Sequence, residues 1–207
     1  MNDKEIILAA NILFNYRLNK KGLKNLPQNL TPTTIEESYK IQNELKILYL
    51  TLSNNLTIGK KVGCTNKDAQ NQLNISEPFY GNLFSRFSDI SGCKLKSNNF
   101  YRPLLEPEIS FRIKEDININ KCPFTISDAS FLFDFILPSI EIVDLRFGTN
   151  VKEIGINNLV INNGASEFYI QGSKYSKLNI IDLSNQIVKL IINDEIVEKG
   201  NTSLVLD

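Results

Sequence analysis

Two glutamates stand one residue apart in Leu105-Glu106-Pro107-Glu108-Ile109, and a third, Glu141, interrupts the apolar run Ile140 to Val143. Carboxylates gathered away from water repel one another, and they stay ionised together when they share a cation. Oxygen donors of this kind suit a hard divalent metal, and such a metal suits chemistry on an oxyanion. Glu106 and Glu108 have a second reading, as polar residues on a solvent-facing strand edge. Glu141 fits that reading poorly, because Ile140, Ile142, Val143 and Leu145 surround it in sequence. A metal, or a pair with Arg146 or a lysine, would relieve its burial. Lys61 lies in Gly59-Lys60-Lys61-Val62-Gly63. It is either an ordinary exposed lysine or an ammonium that meets a carboxylate where flanking glycines let a ligand approach the backbone. The spacing is not that of a phosphate-binding loop.

Composition narrows the chemistry further. The 207 residues contain no histidine, which excludes histidine triads, histidine metal ligands and imidazole acid–base catalysis. Lysine plus arginine equals aspartate plus glutamate at 23 each, a balance that argues against nucleic acid or an anionic membrane as partner. Cys64, Cys93 and Cys122 are odd in number and far apart, so they read as free thiols in a reducing, cytoplasmic setting. Asp3 and Glu5 disfavour a basic leader, and the apolar run Phe131 to Ile142 is too short and too polar to span a bilayer.

The elements that must position these groups follow from periodicity. Ile6, Ile7, Ala10, Leu13 and Phe14 share one face of a first helix. Thr34 and Glu37 make a capping box for a second, which carries Ile41, Leu45, Leu48 and Leu52. Residues 1–58 thus form a helical N-terminal region. From Gly59 onward short apolar runs alternate with turn residues, and 59–207 reads as a β-rich core. Lys61-Val62-Gly63 ends a strand, and Asp68 to Leu73 forms a short helix. Leu104 to Ile113 alternates as a strand, with Pro107 placing it at an edge or a bulge. Ser127 to Phe135 is expected as a helix. Ser139 to Phe147, Asn158 to Asn163 and Glu167 to Gln171 are expected as strands. Ile187 to Ile192 and Glu195 to Glu198 form a hairpin around Asn193-Asp194, and Leu204-Val205-Leu206 reads as a strand.

Six segments, in order, carry a resemblance. They are Thr34 to Gln42, Gly59 to Thr65, Glu77-Pro78-Phe79-Tyr80-Gly81-Asn82-Leu83-Phe84, Arg102 to Ile109, Ile140 to Asp144, and Asn162-Asn163-Gly164-Ala165-Ser166. In these the chain resembles the 2-keto-4-pentenoate hydratase and 4-oxalocrotonate decarboxylase group of the fumarylacetoacetate hydrolase superfamily. The resemblance implies an α+β fold, a mixed β-roll with a small helical N-terminal region, here without the family's closing C-terminal strands. It implies Mg²⁺ or Mn²⁺ held by Glu106, Glu108 and Glu141, with Lys61 holding the substrate carboxylate or relaying a proton, and Ser166 as a substrate contact. The implied activity is a divalent-metal-dependent hydratase of 2-hydroxypenta-2,4-dienoate-like acids in aromatic catabolism, working as a cytoplasmic homo-oligomer. The alternatives are a 4-oxalocrotonate-type decarboxylase, or a catalytically decayed homologue that keeps metal or partner binding. Two departures motivate the last of these. Phe79 stands where the family has an acid–base aspartate, with Glu77 and Tyr80 as its possible substitutes, and the chain stops before the family's Gly-His-Pro helix.

Overall fold

The computed structural model describes residues 1–147, 151–173, 176–177 and 183–205. The first helix, α1 (Asp3–Leu18), starts at a reciprocal cap: Asn2 Oδ1 accepts from Glu5 N at 3.0 Å, and Asn2 N donates to the Glu5 carboxylate at 2.8 Å. Its buried stripe is Ile6, Ala9, Ala10, Leu13 and Arg17. Ile7, expected on that face, is 48% exposed, because the alanines rather than the larger side chains mark the line of closest helix approach. The second helix, α2 (Ile35–Leu50), lies against α1 and buries Ile41, Gln42, Leu45 and Tyr49. Only half of its expected capping box forms. Thr34 Oγ1 accepts from Glu37 N, but the Glu37 carboxylate turns to Thr33 N and the N-terminal ammonium.

After α2 the chain builds an antiparallel ribbon of β1 (Thr57–Gly63) and β2 (Phe79–Phe84), with the short helix α3 (Lys67–Leu73) between them. Lys61 pairs with Gly81 and Gly63 with Phe79, so Lys61, Gly63, Phe79 and Gly81 share one face of the ribbon. The main sheet has the order β3 (Ser88–Ile90), β6 (Ser166–Gln171), β5 (Phe133–Asp144) and β4 (Pro103–Ile113). β4 lies at the edge, as Pro107 requires, and a register irregularity falls between Arg112 and Ile113. A short strand, β7 (Ser176–Lys177), pairs with the start of β5, and α4 (Ile126–Leu132) precedes that strand. The hairpin of β8 (Ile187–Ile192) and β9 (Glu195–Asn201) turns through Asn193 and Asp194, both at positive φ as a type I′ turn demands.

Several sequence expectations change here. Residues 133–135, assigned to a helix, already belong to β5, which ends at Asp144 rather than Phe147. Asn158 to Ile161 is helical, within α5 (Val151–Ile161), rather than a strand. A short buried run such as Leu159-Val160-Ile161 fits either element, and packing of α5 against α2 decides it. Leu204 closes a 3-10 turn (Thr202–Leu204) instead of opening a strand, and Leu206 lies outside the described residues.

One apolar cluster unites these parts. Ile41 and Leu45 of α2, Ala9 and Ala10 of α1, and Val160 and Ile161 of α5 are almost wholly inaccessible and meet Val143 and Leu145 from the end of β5. The helices therefore brace the same sheet end that carries Glu141.

Candidate active site and its carboxylate cluster

Glu106 and Glu141 are direct cross-strand partners on β4 and β5, and Glu108 follows two residues along the same face of β4. Carboxylate oxygens of all three lie within 4.8 Å of one another. Like charges this close repel by about 3 kcal/mol per pair at an effective dielectric near 20. Glu106 and Glu108 are half-buried, as are Pro107 and Ile109, whereas Leu105, Phe111 and Ile113 stay exposed. The two glutamates therefore do not lie on a fully solvent-facing strand edge. Glu141 is 3% exposed, and its Oε1 has no hydrogen-bond partner.

Lys61 supplies the cation for this pocket, Nζ lying 3.1 Å from Glu141 Oε2. Arg146, the other candidate partner of Glu141, instead pairs with Asp144 at 2.9 Å and Glu167 at 3.2 Å. Burial works against the Lys61 ammonium, but Glu141, Glu106 and Glu108 outweigh it and hold its pKa above the ordinary value. Glu108 is pushed up to about 7, first by burial and then by the fields of Glu141 and Glu106. Glu106 is raised by burial and Glu141, against the pull of Lys61. Three carboxylates and one ammonium leave two negative charges uncompensated when all are ionised. An oxygen-only, doubly negative cluster with an orphaned buried Oε1 fits a hard dication.

A line of hydroxyls extends the polar face beyond Glu108: Tyr169 Oη donates to Ser110 Oγ at 3.0 Å, and Ser110 meets Ser139 at 2.7 Å. The sequence reading passed over these three. The signal was their alternation with Glu108, Glu141 and the strand register, which only pairing reveals. It also gave no role to Asn163. This residue, Gly164 and Ala165 all adopt positive φ (59°, 67° and 60°), a tight left-handed turn against β2. Asn163 Oδ1 accepts from Asn82 N, and Asn163 Nδ2 donates to Asn82 O, both at 2.8 Å. A Cβ on Gly164 would lie 3.3 Å from Lys61 Cδ, and one on Gly81 3.2 Å from Lys61 Cγ. The two glycines thus form a slot for the lysine stem.

Phe79 is buried beside that slot, with Lys61 Nζ 5.6 Å from its ring centroid. Tyr80 points to the opposite face of the ribbon, where it stacks on Tyr39 and lies under Lys60. Ser166 is buried at the start of β6, its carbonyl accepting from Arg17. No described contact joins Ser166 to Lys61 or the glutamates, so the structure gathers four of the five candidate residues and leaves the fifth beside Arg17.

Known proteins resemble this chain in sequence and in fold. No family model matches the chain. It is 30% identical to the TodF product hydratase of Pseudomonas putida over 172 residues, covering 82% of this chain and 62% of that protein. It is 28% identical to the 2-hydroxyhexa-2,4-dienoate hydratase of Comamonas testosteroni over 209 residues, 99% of this chain and 77% of that protein. In sequence the chain is similar to 2-keto-4-pentenoate-type hydratases along most of its length. Its α+β fold is that of 4-oxalocrotonate decarboxylase from Pseudomonas putida G7, with a TM-score of 0.88 at 24% identity over 100% of this chain and 76% of that one. That decarboxylase was solved with magnesium and adipate. The chain spans less than two thirds of the first relative's length. Among the described residues no helix is long and apolar enough to cross a membrane.

Proposed function

We propose that this protein is a divalent-metal-dependent hydratase of small 2-hydroxy-2,4-dienoate acids, of the 2-hydroxypenta-2,4-dienoate type. The observation that carries the reading is the convergence of Glu106, Glu108 and Glu141 around a charged Lys61, with one buried carboxylate oxygen unpartnered. The named hydratase relatives support the substrate class. Magnesium or manganese would be held by the three glutamates, and when bound it supplies fixed positive charge for a developing oxyanion.

The chain's own groups do the rest. Lys61 Nζ, kept protonated by the carboxylates, orients the substrate carboxylate or passes a proton, and its stem is held in register by Gly81 and Gly164. Phe79 transfers no proton; its buried ring packs beside the Lys61 head group. Tyr80 cannot substitute for the missing acid from the far face of the ribbon. Ser166 enters the reading as a substrate-side residue on the family resemblance alone. A cytoplasmic setting is supported by the three free cysteines, and a homo-oligomer by the exposed apolar side of β4.

The test is direct. Purified protein with Mg²⁺ and 2-hydroxypenta-2,4-dienoate is expected to consume the dienoate absorbance and yield a 4-hydroxy-2-oxo acid. Absorbance that decays no faster than in an enzyme-free control overturns the reading, and release of CO₂ from 4-oxalocrotonate would move it to decarboxylation.

A further inference from the structure

The sheet face that carries the glutamates continues as a row of hydroxyls. Ser139 is the cross-strand partner of Glu108, and Ser110 follows Glu108 two residues along β4 on the same face. Tyr169 on β6 is the cross-strand partner of Glu141. Direct partners have Cβ atoms about 5 Å apart, and same-face neighbours along one strand are about 7 Å apart. The hydroxyls therefore adjoin the glutamates, with no other residue of that face between them. Tyr169 reaches diagonally across β5, its Oη donating to Ser110 Oγ at 3.0 Å, and Ser110 Oγ meets Ser139 Oγ at 2.7 Å. Ser139 is buried, and Ser110 and Tyr169 are half-buried.

The row is not closed on itself. Three hydroxyls carry three O–H hydrogens, and the two hydrogen bonds among them use two. The Tyr169 hydrogen goes to Ser110, so the third sits on Ser110 or on Ser139, the two serines next to Glu108. Among the described residues it has no acceptor, and the serine pair also keeps unused lone pairs. A group that can both donate and accept in this way matches a neutral oxygen, a water or an alcohol, which does the same. Phe79, beside Lys61 at the other end of the cluster, offers neither donor nor acceptor. One same-face step along β4 is also about the length between the head of a 2-oxo acid and an oxygen on its C4.

We infer that Ser110, Ser139 and Tyr169 form the subsite for the neutral oxygen at C4: the 4-hydroxyl of the hydration product and, before addition, the water that becomes it. They are positioning residues, and they keep their own protons. Tyr169 fixes Ser110, so that the open hydroxyl of the serine pair is held beside Glu108. The inference rests on the function proposed above and names the groups that place its water.

Two acids that differ only in that oxygen test it: 2-oxopentanoate and 4-hydroxy-2-oxopentanoate. Each is titrated calorimetrically into the full chain in the presence of Mn²⁺, alongside a Mn²⁺ titration of each variant. The hydroxy acid is expected to bind about fivefold or more tighter. The variant that removes the whole row combines Ser110→Ala, Ser139→Ala and Tyr169→Phe. It leaves no partner within the row unpaired, a change close to neutral for folding. It is expected to bring the two acids within about twofold of each other, with 2-oxopentanoate and Mn²⁺ affinities unchanged. The dienoate has no oxygen at C4, so its KM should stay while kcat falls about tenfold or more. Ser110→Ala and Ser139→Ala repeat the measurement singly, the larger loss marking the serine that carries the free hydrogen. Equal binding of the two acids to the unaltered protein overturns the inference and leaves the function standing. So does a preference that the triple variant keeps, and so does a variant that loses Mn²⁺ and both acids together, the mark of a purely structural row. If Mn²⁺ binds the unaltered protein but neither acid does, the proposed function itself fails, and the subsite falls with it.

Discussion

Glu141 is the residue on which the site turns, because it is the most buried of the three carboxylates and has one oxygen without a partner. Glu141→Gln keeps the shape and removes the charge. It is expected to cost Mn²⁺ affinity at least about tenfold by calorimetry, since oxygen-donor sites for hard cations depend on ligand charge. Equal affinity in both proteins would mean that the cluster does not hold the ion. Glu108 provides a second measurement through pH. Its pKa is raised to about 7 by burial and by its acidic neighbours, and that of Glu106 is raised in the same direction. A raised carboxylate binds its proton more tightly in the folded state. Its contribution to stability is complete below the ordinary value near 4.5 and is lost as pH rises through the folded value. Metal-free protein is therefore expected to melt at progressively lower temperature as pH rises from about 4.5 to 7, with Mn²⁺ flattening the trend because the ion replaces the proton. Melting temperatures in chelator that climb over this window would contradict the clustering.

The elements that matter most are the β1–β2 ribbon and the left-handed turn at Asn163 to Ala165, which together fix the lysine. A Cβ on Gly81 would come within 2.3 Å of the Asn163 carbonyl oxygen, a backbone atom with no freedom to rotate away. Gly81→Ala is expected to destabilise the fold by about 1–3 kcal/mol in urea titrations, the usual scale of overpacking. It should also reduce dienoate turnover by more than the loss of folded protein explains, because the same Cβ would crowd Lys61 Cγ at 3.2 Å. Gly81→Ala with unchanged stability and turnover would show that the slot is looser than described. The turn at Asn163 has its own logic: positive φ is costly at Asn163 and Ala165 though not at Gly164, and the paired hydrogen bonds to Asn82 hold it.

Across the whole molecule, a buried charge network ties the N-terminal helix to the main sheet. Arg17 of α1 reaches the Asn162 carbonyl at 3.0 Å and Glu167 at 2.6 Å. Glu167 continues to Arg146 and Asp144, and the Asp144 carboxylate accepts from Tyr101 N and Arg102 N at the approach to β4. Arg17→Met leaves Glu167 buried with less compensation and four carbonyl and carboxylate oxygens short of a donor. The expected loss is about 3–5 kcal/mol by chemical denaturation. Mn²⁺ affinity of the protein that remains folded should be unchanged, because Arg17 is bonded to Asn162, Ser166 and Glu167 rather than to the glutamate cluster. A fall in affinity matching the fall in stability would show that helix docking and the metal site are one unit.

Much of this was legible along the chain. The Glu-x-Glu spacing placed two carboxylates on one face of a strand, Pro107 put that strand at an edge, and the apolar setting of Glu141 announced a buried charge, because period-two geometry and desolvation are local properties. The hairpin at Asn193-Asp194 was legible for the same reason. The misread Asn158 to Asn163 segment shows the limit: an apolar run of that length satisfies helix and strand alike until α2 packs on it. How far Glu106 and Glu108 would be buried, that Lys61 rather than Arg146 would answer Glu141, and that Ser166 would lie beside Arg17 were set by strand register and by contacts between residues far apart in sequence. Residue types determined the kind of chemistry available to this protein. Tertiary structure decided which charges share one small volume, because electrostatic interaction depends on distance and burial, and neither is a property of sequence order.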